Sequence, residues 1–285
     1  MNGDQIRGLF ELRDRIAVVT GGGGDLCGTM AQALGALGVK VAILDLTLDK
    51  AAAIADAVNA AGGEARAFGG SVLDLEVMRD HCDAIRSHWG VPDILINGAG
   101  GNDPRGSTAV EFVERHALGD PDLSTFFDLD PEGVSRTVDL NFQGTVLATQ
   151  VFARGMVERG SGSILNISSM GAFTPLTKVG AYSAAKAAVA NFTRWLAVHF
   201  AHTGVRVNAL APGFFMTEQL RYLHVDPRTG ESTPRASAVL AHTPLGRYGD
   251  PDELLGAMVW LLSDASRFVT GAVVPVDGGF SAYSI

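Results

Sequence analysis

Short apolar runs that alternate with longer, helix-patterned segments constrain this chain more than any other feature. Ile16–Thr20 (IAVVT), Val39–Asp45 (VKVAILD), Asp93–Asn97 (DILIN), Gly162–Ser168 (GSILNIS), Val205–Ala211 (VRVNALA) and Ala272–Val276 (AVVPV) read as strands, and Glu64–Phe68 is a weaker candidate. The strong runs are β-branched and apolar on both faces, as strands covered by helices on either side must be. Helices are expected over Gly28–Leu37, Leu48–Ala61, Leu75–Trp89, Pro131–Arg159, Gly180–Thr203 and Pro251–Ser263. Asp250-Pro251-Asp252-Glu253 supplies an N-cap Asp, a first-turn Pro and a Glu placed to complete a capping box; Asp130-Pro131-Glu132 repeats the cap and the proline. This alternation predicts an α/β fold, a doubly wound parallel sheet of about seven strands with right-handed crossovers and helices on both faces. No repeat or low-complexity linker divides residues 1–285, so one domain is expected. Two loop excursions, Gly101–Phe127 and Phe214–Gly249, break the rhythm and should border the active site.

Composition excludes several classes. Apolar residues are 47% and charged residues 19% of the 285, the profile of a packed globular chain. The net charge of −9 and the lack of a Lys/Arg cluster argue against a nucleic-acid partner. No uncharged apolar run reaches the ~18–20 residues needed to cross a bilayer. The N-terminal MNGDQIRGLFELRDR is polar where a signal peptide needs an apolar stretch, so a cytoplasmic protein without a membrane partner is expected. Cys27 and Cys82 have neither metal-ligand spacing nor a disulfide framework; they read as small reduced residues, and no metal is expected.

The first strand runs into Thr20-Gly21-Gly22-Gly23-Gly24-Asp25-Leu26-Cys27-Gly28 before a helix. Glycines there let the backbone turn sharply and approach a pyrophosphate, which rests on the free N–H groups of the helix N-terminus. A tight βα turn alone would also need glycine. Asp45, closing the second strand, stands where an acidic side chain accepts bonds from the adenosine ribose hydroxyls and repels a 2′-phosphate. Neither Gly24 nor Leu46 is basic, so NAD(H) is favoured over NADP(H). Asn97-Gly98-Ala99-Gly100 ends the fourth strand with small residues that would let it lie against the cofactor, although an ordinary strand-end turn has the same composition.

Ser169 sits at a strand end, and Tyr182 and Lys186 are spaced i, i+4 on an expected helix, so their side chains share a face. A tyrosine titrates near 10 in water, too high for a proton shuttle at neutral pH. A neighbouring ammonium favours the phenolate, so Lys186 is expected to lower Tyr182 while bonding the nicotinamide ribose. Ser169 can hold the substrate oxygen against the Tyr182 hydroxyl, and Asn141 can orient a water that relays protons to Lys186. Taken alone, Tyr182 and Lys186 would read as an amphipathic tyrosine beside a solvated lysine.

Thr20-Gly21, Asn97-Gly98-Ala99-Gly100, Asn141, Ser169, Tyr182-x-x-x-Lys186 and Pro212-Gly213 together resemble the ordered motifs of the classical short-chain dehydrogenase/reductases. The resemblance runs from about Ile16 to Val276-Asp277-Gly278-Gly279, almost the whole chain. It implies a single Rossmann-type domain, a catalytic tetrad of Asn141, Ser169, Tyr182 and Lys186, and a homotetramer built on the Pro131–Arg159 and Gly180–Thr203 helices. It further implies cofactor contacts from Gly21, Gly23, Gly24, Asp25, Leu26, Asp45 and Leu46 around the turn, from Ser71, Val72, Asn97, Gly98 and Ala99 at strand ends, and from Pro212, Gly213, Phe215 and Thr217. Asp25 and Cys27 depart from the family's glycines, and Ser71 stands where many relatives carry Asp.

Within the family, the Gly22–Gly28 turn, Asn97–Asn102, Pro212–Gln219, His242–Arg247 and Asp277–Ala282 are similar to the D-mannonate oxidoreductase (fructuronate reductase) branch. That similarity implies interconversion of D-fructuronate and D-mannonate with NAD(H). A uronate carboxylate calls for a cation, best an arginine. Arg105, Arg221 and Arg247 lie in the excursions, and Asn102, Glu218 and Gln219 are candidates for the sugar hydroxyls. His224 and His242 read as lid surface. The alternatives are a dehydrogenase of another sugar, a polyol or a simple ketone, and a nucleotide-sensing protein without catalysis.

Overall fold

A computed structural model describes residues 2–217, 220 and 230–284. Seven strands, β1 (Ile16–Thr20), β2 (Lys40–Asp45), β3 (Glu64–Gly69), β4 (Ile94–Asn97), β5 (Gly162–Ile167), β6 (Val205–Pro212) and β7 (Val273–Val276), form one sheet in the order β3-β2-β1-β4-β5-β6-β7. Every pairing is parallel. This is the Rossmann-type sheet expected, and the weak candidate at 64–68 is its edge strand β3. Its alternating Glu and Arg suit an edge with one wet side, which is why apolarity alone undersold it.

Helices α1 (Gly3–Gly8), α2 (Asp25–Ala36), α3 (Leu48–Ala60), α4 (Leu75–His88), α5 (Pro131–Val138), α6 (Gly144–Arg159), α7 (Gly180–His199), α8 (Pro234–His242) and α9 (Leu255–Leu262) surround it. Successive strand residues point to opposite faces, so β1 feeds two cores. Ala17 and Val19 pack with Met30 and Leu34 of α2, Val58 of α3 and Met258 of α9. Val18 packs on the other face with Ile85 of α4, Phe152 of α6 and Leu196 of α7. No helix among the described residues is long and apolar enough to cross a membrane.

Three boundaries differ from expectation. The helix expected over 131–159 is interrupted by a π-helical turn, Asp139–Gln143, with Asn141 inside it. The start at Asp250 is present, with Glu253 accepting the Asp250 N–H at 2.9 Å, but it opens as a 3₁₀ turn, Pro251–Leu254, before α9. The 214–249 excursion contains α8, capped by Thr233 with Pro234 in the first turn, a start signal legible in the sequence. The strand order reverses between β1 and β4, and the crevice beyond their carboxyl ends is where this topology places ligands.

Candidate active site

Thr20 joins the two turns that leave β1 and β4. Its hydroxyl oxygen accepts from the Gly98 and Ala99 N–H groups at 3.1 and 3.2 Å. Gly21 has φ +65°, and a Cβ there would lie 2.8 Å from the Ala99 backbone, so only glycine fits this close approach. Cys27 stands in place of a family glycine and packs its sulfur directly beneath Gly98, where any Cβ would collide with it. Burial pushes its thiol up to about 12, against a downward pull from the Lys186 charge. It is an inert packing atom.

Gly24 precedes α2 and brings no side chain to cap it, so the helix N-terminus opens onto a cleft of about 350 Å³ lined by Gly23, Gly24, Asp25, Met216 and Thr217. Asp45 closes β2 beside this turn and accepts the Gly23 N–H at 3.1 Å and the Thr47 N–H at 3.2 Å. The bond to Gly23 fixes the carboxylate against the glycine turn. Leu46 is exposed beyond it, Val72 is buried against Gly144, and the Ser71 hydroxyl accepts the Leu73 N–H at 3.2 Å. Leu26 is half-buried at the start of α2. Thr217 faces the cleft and accepts the Leu220 N–H at 3.1 Å.

Two expected cofactor contacts have another use. The Phe215 ring packs into the core against Gly249, whose Cβ would lie 2.6 Å from it. Gly213, following Pro212, gives its N–H to Val276 at 2.9 Å and leaves room for Asp277, which a Cβ would meet at 2.6 Å.

The four residues expected to form a catalytic tetrad converge beyond β4 and β5. Ser169 caps a 3₁₀ turn, accepting the Gly171 N–H at 3.1 Å, and its side chain lies close enough to the Tyr182 hydroxyl to pull that group down against burial. Lys186 is buried, donates to the Ile167 carbonyl at 2.8 Å, and places its Nζ 5.7 Å from the centre of the Tyr182 ring. The Ser168 hydroxyl donates to the Lys186 carbonyl at 3.0 Å, so strand and helix are tied in both directions. Asn141 donates to the Gly101 carbonyl at 2.6 Å and the Thr137 carbonyl at 2.7 Å, and accepts the Gly101 N–H at 3.3 Å. Both amide protons are therefore spent, and only acceptor capacity on Oδ1 is left for a water. A Cβ on Gly100 would lie 2.6 Å from that Oδ1 and 3.1 Å from Lys186 Nζ, so the glycine lets both groups reach the strand end.

One electrostatic expectation is corrected. Tyr182 is not lowered by Lys186: burial holds its hydroxyl above the ordinary value, with the Ser169 side chain opposing. Lys186 is itself pulled down to about 8, chiefly by burial. In a dry site the charged forms of both groups lose hydration, and that outweighs their mutual help across this distance.

Among the substrate candidates, Arg105 forks onto Asp103 at 3.2 and 3.0 Å and pairs with Asp130 at 3.2 Å. Arg247 pairs with Glu253, holding that carboxyl down at about 2. Both guanidinium groups are thus committed within the chain. Asn102 donates to the Ser107 hydroxyl at 2.7 Å, while its Oδ1 is buried without a partner among the described residues. His242 packs its ring against Phe280 and Tyr283. Glu218, Gln219, Arg221 and His224 lie outside the described residues.

The family described as enoyl-(acyl carrier protein) reductase, adh_short_C2, matches residues 26–281. The chain belongs to this short-chain dehydrogenase/reductase family. As a short-chain dehydrogenase/reductase it is an oxidoreductase, and its relatives differ in what they are named for. The uncharacterized oxidoreductase UxuB of Bacillus subtilis is 47% identical over 274 residues, 96% of this chain and 97% of that one. The D-threitol dehydrogenase of Mycolicibacterium smegmatis is 31% identical over 272 residues, 95% of each. A crystal structure of a Haemophilus influenzae protein provisionally described as a D-mannonate oxidoreductase, with bound NAD, superposes with a TM-score of 0.92 at 46% identity, covering 96% of this chain and 97% of that one.

Sequence reading singled out Asn97 and Asn141 but missed the buried Thr145, Thr149, Asn166 and Thr193 that are linked to them by hydrogen bonds. Their signal was present: Thr137, Asn141, Thr145 and Thr149 recur every fourth residue along one helical stripe.

Proposed function

We propose that this enzyme interconverts D-fructuronate and D-mannonate with NAD(H). The observation that carries the chemistry is the gathering of three groups at one strand end: buried Lys186, held by the Ile167 carbonyl at 2.8 Å, lies 5.7 Å from the Tyr182 ring, with the Ser169 side chain close to the Tyr182 hydroxyl. The uronate is supported by the description of the 46% identical Haemophilus influenzae structure, and NAD by its presence there.

The residues fit that cofactor. The open N-terminus of α2 offers N–H groups to a pyrophosphate, and glycine at 23 keeps the backbone clear where a Cβ would lie 3.0 Å from Asp45 Oδ2. Asp45 would take the adenosine ribose hydroxyls and repel a 2′-phosphate. Bound NADH supplies the hydride that reduces the carbonyl carbon. Ser169 donates a hydrogen bond to the carbonyl oxygen and holds it at the Tyr182 hydroxyl. A raised tyrosine stays protonated at neutral pH and so stands ready as the acid of reduction. Lys186, at about 8, is placed to hold the ribose and return the proton to Tyr182. Asn141 accepts a relay water on Oδ1 while its two donors keep the Gly101 peptide in place.

The exposed Trp195 and Val198 on α7 support a homotetramer in which that helix packs against a second copy. The free, buried Cys27 and Cys82 support a reducing cytoplasmic setting. A second reading keeps the mechanism and changes the substrate to a neutral polyol or another sugar. It is favoured by the likeness to D-threitol dehydrogenase and by the ion pairs that occupy Arg105 and Arg247. The complete Ser169, Tyr182 and Lys186 set speaks against a sensor without catalysis.

A panel of sugar acids, neutral ketoses and polyols with NAD and NADH, read as NADH absorbance, tests the substrate. Reduction of D-fructuronate ahead of neutral ketoses is expected; oxidation of polyols with uronates inert would replace this reading with the second. Tyr182→Phe should lose about 10²–10⁴ of turnover with NADH binding intact.

A further inference from the structure

A chain of buried side-chain hydrogen bonds crosses the molecule beneath the site. In the helical stripe, the Thr145 hydroxyl donates to the Asn141 carbonyl at 2.9 Å and the Thr149 hydroxyl to the Thr145 carbonyl at 2.7 Å. Asn97, at the end of β4, donates to Thr149 Oγ1 at 2.9 Å and to Asn166 Oδ1 on β5 at 2.8 Å. Asn166 donates to Thr193 Oγ1 at 2.9 Å, and Thr193 donates to the Val189 carbonyl at 2.8 Å. That carbonyl lies on α7, three residues after Lys186. All five side chains are buried, and the two strands are in direct register at Asn97 and Asn166.

The polarity of this chain is fixed. Each threonine spends its proton on a helix carbonyl, so each hydroxyl oxygen can only accept from an asparagine. Asn97 must therefore turn both amide protons inward, which leaves its Oδ1 buried without a partner among the described residues. Valine and leucine would fill these places without burying a polar atom that has no partner. A polar network retained in a core, with one acceptor left over, trades stability for one arrangement of the parts it joins. The parts joined are the helix run carrying Asn141 and the helix carrying Tyr182 and Lys186.

We propose that Thr149, Asn97, Asn166 and Thr193 are positioning residues that set the helix run of Asn141 against the helix of Tyr182 and Lys186. Their side chains act through the helices they tie and not on the reacting atoms. The inference rests on the catalytic roles given above for Asn141, Tyr182 and Lys186.

The test compares Thr193→Val and Thr149→Val, which keep side-chain volume and delete a hydroxyl, with Thr193→Ser, which keeps the hydroxyl. The full-length enzyme is used, with folding checked by circular dichroism. Two readouts are taken: the pH dependence of kcat with D-fructuronate and NADH, and the phenolate absorbance of Tyr182, taken as the difference between each variant and its Tyr182→Phe counterpart. Both valine variants should fold, lose about tenfold in kcat with the NADH KM nearly unchanged, and move the Tyr182 titration by about half a pH unit. Thr193→Ser should restore both. A folded valine variant that titrates and turns over like the wild type would overturn the proposal, as would failure of both to fold. The absorbance arm needs no substrate, so an inactive D-fructuronate assay counts against the substrate and not against these residues. If Tyr182→Phe alone keeps full turnover on an active substrate, the catalytic reading falls instead.

Discussion

The side-chain amide of Asn141 grips the peptide of Gly101 from both ends, accepting its N–H at 3.3 Å and donating to its carbonyl at 2.6 Å. The π-helical turn makes this grip reachable by displacing Asn141 from the regular helix path, as such turns often do at functional sites. One consequence concerns the residue before the grip. Gly100→Ala would put a Cβ 2.6 Å from Asn141 Oδ1 and 3.1 Å from Lys186 Nζ, and both buried groups would have to strain the hydrogen bonds that hold them in order to move away. The variant should fold with a stability loss of about 1–3 kcal/mol and lose about a hundredfold in kcat. Steady-state kinetics beside a thermal melt would separate the two effects, and a kcat near wild type would show that the grip survives.

Cys27 and Gly98 are a reciprocal pair. Gly98→Ala drives its methyl into the Cys27 sulfur and should cost about 1–3 kcal/mol by overpacking. Cys27→Gly removes the obstacle at a helix-propensity cost of about 1 kcal/mol plus the space it leaves. In the double variant, Gly98→Ala should cost much less than it does alone. Urea melts of the four proteins give the coupling directly, and simple additivity would mean that the contact carries no energy.

Asp45 is proposed to set the cofactor preference through its charge. The wild type should use NADH far better than NADPH, and Asp45→Ala should shrink the ratio of the two kcat/KM values by at least about tenfold, or 1.4 kcal/mol. Part of the loss will fall on NADH itself, because the Gly23 N–H also loses its partner at 3.1 Å. A ratio unchanged by the substitution would mean that another group reads the 2′ position.

Lys186 makes folding stability depend on pH in a defined window. Its native value of about 8 lies below the ~10.4 of an unfolded lysine. Between those values the unfolded chain holds a proton that the native protein has released, so stability contributed by this group rises with pH. Below about 8 both states are protonated and the burial penalty stands in full. The stability of the wild type relative to Lys186→Met should therefore improve from about pH 8 to about pH 10 and stay level below it. The Cys27 thiol, raised to about 12, works in the opposite direction, but it is present in both proteins and largely cancels in the difference. Denaturant melts across this range would show the slope, and a flat difference would place Lys186 at its ordinary value.

Much of the site is legible in the sequence. Ser169, Tyr182 and Lys186 converge as their spacing implies, because a strand end and two positions one helical turn apart leave little freedom. Arg105 is legible only as a loop arginine. Its partners Asp103 and Asp130 come from the loop itself and from the cap of α5, and the short-range pattern does not show that they meet. The lowering of Tyr182 expected from Lys186 also fails, since proximity in sequence says nothing about how dry a site is.

The sequence alone determined the elements and the chemistry they could carry. Both faces of the central strands are buried, so those strands are written as unbroken apolar runs, and a turn that presses backbone on backbone at Gly21 can be written only with glycine. Tertiary structure decided strand order, the break at Asn141, the direction of the tyrosine and lysine shifts, and the polar chain from Thr145 to Thr193. Each of those depends on which distant residues meet and how much water they exclude, and neither quantity is contained in any local stretch of the chain.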